Sequence, residues 1–122
     1  SYPLAETPGC RWASGACGLK NNEFELTLSF RTVGGETLLL LESVHALDGV
    51  MLSVARDEAE LAPPRPMAPA ADDGRRWTLD VVVPEPGRDR LRLAASAGGT
   101  LYFGDASTAF VQSTGENEPP SD

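Results

Sequence analysis

The residues able to do chemistry in this chain are few and scattered. Cys10 and Cys17 stand in a glycine-rich stretch with six residues between them. Such a pair can form a disulfide, hold a metal as thiolates, or remain as two inert thiols. A zinc site wants two further Cys or His ligands, and the chain offers only His45. A redox-active pair usually has two intervening residues, not six. A disulfide is the favoured reading. It requires an oxidising compartment, and closing so short a loop stabilises by roughly 2–3 kcal/mol on the chain-entropy estimate.

His45, Met51 and Met67 form the other donor set, since imidazole and thioether both suit Cu(I). They show no His-x-Met or Met-x-Met clustering, and ordinary core and surface filling explains methionines equally well. Catalytic patterns are missing. There is one histidine and no Gly-x-Ser-x-Gly nucleophile elbow. The carboxylates Asp72, Asp73 and Glu85 fall in proline-rich connections, where a solvated loop charge is expected. No phosphate loop or dinucleotide fingerprint is present. The sequence predicts a protein that is not an enzyme and carries no cofactor.

Positive charge is concentrated at Arg88, Arg90 and Arg92, with Arg75 and Arg76 nearby. On the solvent face of a hairpin these side chains either receive an acidic protein partner or pair with Asp80 across the strands. The background is strongly acidic, with a net charge of −8 and a pI of about 4.5. That balance disfavours nucleic acid and anionic lipid. No apolar run approaches the ~18 residues a membrane helix needs, so this segment is not expected to insert. The chain begins with Ser, which fits removal of an upstream signal or membrane anchor.

The elements that must position these groups read as strands. A 122-residue chain is one domain, long enough to bury roughly two thirds of its unfolded surface. Phe24, Leu26, Leu28 and Phe30 alternate with polar residues over 23–31, a strand with one buried face. The unbroken run Leu38–Leu41 predicts a central strand covered on both faces. Asp48-Gly49 reads as a hairpin turn, followed by Val50, Leu52 and Val54 in alternation. The proline-rich stretch 56–74 reads as a long connection crossing between sheets, with at most a helical turn at 57–61. Residues 76–111 read as an antiparallel meander. Its first strand carries Trp77, Leu79, Val81 and Val83, its second Leu91, Leu93 and Ala95. In its third, Leu101 and Phe103 share one face and Thr100 and Tyr102 the other. Trp77 is expected in the core with Phe24, Leu26, Leu28, Leu79, Val81 and Leu93, while Trp12 covers the core's edge.

The predicted architecture is all-β, an antiparallel immunoglobulin-like sandwich of about seven strands. Residues 1–18 form an irregular arm pinned by the disulfide, 19–112 the sandwich, and 113–122 a disordered acidic tail.

The order Cys-x6-Cys, then Leu47-Asp48-Gly49-Val50-Met51, then Gly74-Arg75-Arg76-Trp77 resembles a group of small bacterial envelope proteins, periplasmic and membrane-tethered. These are similar in turn to sandwich domains of respiratory-oxidase and copper-handling accessory proteins. The resemblance implies an extracytoplasmic binding or accessory module, periplasmic or anchored facing the periplasm, with a protein partner. Its alternative is a copper-handling role through His45 and the methionines. The chain lacks the further cysteine and methionine expected after the Trp77 strand, where Pro84-Glu85-Pro86 stands, so no metal ligands carry over.

Overall fold

The structure is a computed structural model and describes residues 2–8, 10, 15–56, 60–61, 63–81 and 89–108. Its strands are β1 (Tyr2–Pro3), β2 (Ala5–Glu6), β3 (Ala16–Asn21), β4 (Phe24–Val33), β5 (Glu36–Ser43) and β6 (Gly49–Arg56), then β7 (Glu60–Leu61), β8 (Arg65–Pro66), β9 (Ala68–Pro69), β10 (Arg76–Asp80), β11 (Asp89–Ala97) and β12 (Thr100–Ser107). Among these, β3, β4, β5, β6, β10, β11 and β12 have five residues or more. They form two packed sheets. The front sheet runs β1-β12-β11-β6-β7, with β8 also on β6; the back sheet runs β2-β3-β4-β5-β10-β9. The β1–β12 pairing is parallel, and the other described pairings are antiparallel. The protein is an all-β sandwich.

Alternation makes the core. Phe24, Leu26 and Leu28 of β4 face Leu91, Leu93 and Ala95 of β11 across the sandwich within one buried cluster, which also holds Val50, Leu52 and Trp77. Each buried Leu, Val or Phe side chain contributes about 1.5–3 kcal/mol through burial. Trp77 is buried at the start of β10, and its indole N–H donates to the Gly74 carbonyl at 2.9 Å. Leu79 and Val81 pack against the same cluster. The central position expected for 38–41 is observed: β5 lies between β4 and β10, and Leu39, Leu40 and Leu41 are all buried. Gly34-Gly35 and Gly98-Gly99 turn two hairpins with both residues at positive φ, the backbone that matches strand twist and that side chains resist.

Several sequence expectations need correction. The described residues of the arm over 1–18 are not all irregular: β1 joins the front sheet, β2 and β3 the back sheet. Two-residue strands hold by backbone pairing alone, so they leave no periodic trace. Residues 76–111 are not one meander. β10 pairs with β5 and β9 in the back sheet, while β11 and β12 form a hairpin in the front sheet. Alternation marks a buried face without saying which sheet supplies it. Asp48-Gly49 is not a hairpin turn, because β5 and β6 belong to different sheets. Instead Asp48 ties down the β11–β12 turn: its N–H donates to the Ser96 carbonyl at 2.7 Å, and its carboxylate accepts from the Gly98 N–H at 2.8 Å.

The crossing expected within 56–74 occurs at one residue. β8 pairs with β6 in front and β9 with β10 behind, so the chain changes sheets at Met67, which is buried. The N-terminus does the same at Leu4, between β1 in front and β2 behind. At each end of the sandwich the chain therefore passes from one sheet to the other, and the edge strands there are only two residues long, which limits the edge available for pairing. Glu60–Leu61 is strand, not helical turn. Trp12, Asp57–Ala59, Val83, the Pro84–Gly87 turn, Arg88 and the tail 113–122 lie outside the described residues.

Candidate functional site

Cys10 and Cys17 form a disulfide, with S–S 2.03 Å. The Glu6 carboxylate lies within 4.8 Å of both sulfurs. Bonded sulfurs are not thiolate ligands, so this trio leaves only the carboxylate for a cation. Glu6 is otherwise engaged, accepting from the Ser107 N–H and standing 3.9 Å from the Arg90 guanidinium. The bridge sits beside the first sheet change, where Thr7 N–H donates to the Gly18 carbonyl at 2.9 Å and Cys10 N–H to the Thr7 carbonyl at 3.1 Å. A disulfide is compatible with an oxidising, extracytoplasmic compartment.

The three copper-type donors do not converge. Met51 projects from the outer face of β6, between the inward Val50 and Leu52, whereas Met67 is buried in the core between the sheets. His45 stacks on Phe24 with ring centroids 5.8 Å apart. It lines an end cleft that neither methionine reaches.

Arg90 and Arg92 lie on the outer face of β11, as the alternation required. Their partners are not Asp80, which belongs to the back sheet. Arg92 pairs with Asp105 at 3.5 Å and Arg90 approaches Glu6 at 3.9 Å. Both pairs are half-exposed and worth at most about 1 kcal/mol each.

Beside them the register aligns an apolar row. Pro3 pairs with Phe103, Phe103 with Ala94, Ala94 with Met51, and Met51 with Pro66. Paired residues share a face, so these five cross the front sheet from edge to edge on its outer side. Phe103 is 43% exposed and Met51 40%, with Leu101 at 44% in the next row. The sequence shows Leu101 and Phe103 on one face of β12; that face is the outer one. The row itself was invisible in the sequence, because it joins residues from five strands.

At one end of the sandwich is an open cleft of about 930 Å³. Phe24 from the back sheet and Tyr102 from the front stack at 3.7 Å with planes 6° apart. Tyr2 adds a ring 5.6 Å from Tyr102, and His45 stacks on Phe24 as well. Asn21, Asn22, Glu23 and Thr100 supply the polar lining. Two turns bring these groups together: β3–β4 carries Asn22 at φ 57°, and β11–β12 ends beside Thr100. The Asn21 amide donates to the Pro3 carbonyl at 2.6 Å, holding the N-terminal strand against the cleft. The polar stretch Lys20-Asn21-Asn22 was the one sequence signal here, and it reads as turn chemistry.

No family model, curated protein or solved structure matches this chain.

Proposed function

We propose that this chain is a non-enzymatic binding module of the bacterial cell envelope, periplasmic or facing the periplasm, that docks a protein partner on the outer face of its front sheet. The observation that carries this reading is the apolar row Pro3, Phe103, Ala94, Met51 and Pro66 crossing the whole sheet. Scattered apolar side chains need no explanation, whereas a contiguous exposed row marks an interaction surface. Arg90 and Arg92 border it in weak, half-exposed ion pairs. Acidic side chains of a partner can capture them at little cost, giving orientation and specificity. The disulfide supports the extracytoplasmic setting. With both cysteines bonded and one histidine in the chain, no nucleophile–base pair involving a thiol exists to support catalysis.

The test is a photo-crosslinking residue placed at Phe103, with Arg31 on the exposed part of β4 in the back sheet as the control. Irradiation of the exported protein in cells is expected to give one discrete adduct from position 103, which Met51→Glu abolishes. Equal labelling from both positions, or none from 103, rejects the docking face.

A further inference from the structure

We propose that the end cleft is a second, separate site, and that it binds a neutral oligosaccharide built of pyranose rings. It rests on different residues from the docking row. Tyr2 and Tyr102 face the cleft, while their neighbours Pro3 and Phe103 carry the row on the opposite side of the same strands.

The chemistry of the lining selects the ligand. A pyranose has an apolar C–H face and a rim of hydroxyls. Aromatic faces carry the negative end of a quadrupole and attract C–H groups. The cleft offers the exposed rings of Tyr2, 52% exposed, and His45. Around them stand an amide at Asn22, a carboxylate at Glu23 and a hydroxyl at Thr100. Among the described residues no hydrogen bond engages these three side chains. Together they both donate and accept, as a diol requires.

Other ligand classes fit worse. Among the described residues the lining has no Lys or Arg, and Glu23 is its acidic group; phosphates and uronates would meet repulsion with no guanidinium or ammonium to offset it. A quaternary ammonium needs rings facing a common centre. Here Phe24 is nearly parallel to both Tyr102 and His45, at 6° and 14°, so the rings face each other and form no cage. A proline-rich peptide would use the rings and leave the amide, carboxylate and hydroxyl unpaired. The volume of about 930 Å³ lies at the upper end for small-molecule sites, which favours two or more sugar rings over one.

The experiment follows backbone amide signals by two-dimensional NMR on the intact, disulfide-bonded chain. Cellotriose, maltotriose, xylotriose and triacetylchitotriose are titrated separately at millimolar concentration, alongside decaproline. At least one trisaccharide is expected to shift the amides of Asn22, Phe24, Thr100 and Tyr102. Tyr2→Ala and Asn22→Gly are expected to weaken that binding roughly tenfold each, about 1.4 kcal/mol. Both variants should fold, since Tyr2 is exposed and Asn22 already holds the positive φ that glycine adopts freely. Silence from all four sugars overturns the proposal. So do shifts unaffected by either variant, and so does decaproline moving these signals when the sugars do not. None of these outcomes bears on the crosslinking test at Phe103.

Discussion

Phe24 and Tyr102 stack face to face across the two sheets, with ring centroids 3.7 Å apart and planes 6° from parallel. One ring is buried and the other half-exposed, so the pair is both the end of the core and the floor of the cleft. Phe24→Ala is expected to cost about 3–5 kcal/mol, the scale for losing a core aromatic. Tyr102→Ala should cost less. A double-mutant cycle in urea should return a coupling of about 0.5–1.5 kcal/mol for the pair, and additive single mutants would refute it.

Closure of the N-terminal edge depends on Gly104. A Cβ there would stand 2.9 Å from the Leu4 Cβ and 3.1 Å from the Leu4 carbonyl oxygen. That backbone is pinned, because Leu4 N–H donates to the Phe103 carbonyl at 2.7 Å. Gly104→Ala is therefore expected to destabilise by about 1–3 kcal/mol and to hasten limited proteolysis before β3. Gly49→Ala is the control: nothing lies within 4 Å of its added Cβ, and its stability should stay within ~0.5 kcal/mol of the parent.

Trp77 tests the core. It joins β10 to both sheets through the central cluster, so Trp77→Ala should lose about 3–5 kcal/mol or fail to fold. Trp77→Phe keeps most of the apolar surface and loses the N–H bond to Gly74, an expected cost of about 1–2 kcal/mol. Denaturant melts of the two variants check the order.

For the disulfide, intact mass after alkylation without reductant should show no modified thiol. The double substitution Cys10→Ala, Cys17→Ala is expected to lower stability by roughly 2–3 kcal/mol through the freed loop. Two alkylated thiols in the natively purified protein would refute the bond and remove its support for an extracytoplasmic setting.

Copper is expected not to bind tightly. Met51 and Met67 sit on opposite sides of the front sheet, and neither lines the cleft that holds His45. Titration of Cu(I) against a competing chelator should give no stoichiometric site. One that vanished in His45→Ala would show that the donors gather in solution.

The alternation of apolar and polar residues by itself determined the strands and their buried faces. Phe24, Leu26 and Leu28, then Val50 and Leu52, then Leu91, Leu93 and Ala95 all face inward because a strand has a period of two and water is on one side only. The leucine run of β5 was legible for an equally local reason. Which sheet each strand joins was not local. Trp77 and Leu93 have the same alternation, yet β10 is behind and β11 in front, since pairing is chosen by whole-chain packing. Short edge strands were silent too, because two residues joined by backbone bonds need no particular side chains. The binding surfaces belong wholly to the tertiary structure. Tyr2, Phe24, His45 and Tyr102 meet at one cleft, and Pro3, Phe103, Ala94, Met51 and Pro66 align in one row, only after register and sheet order bring distant segments side by side.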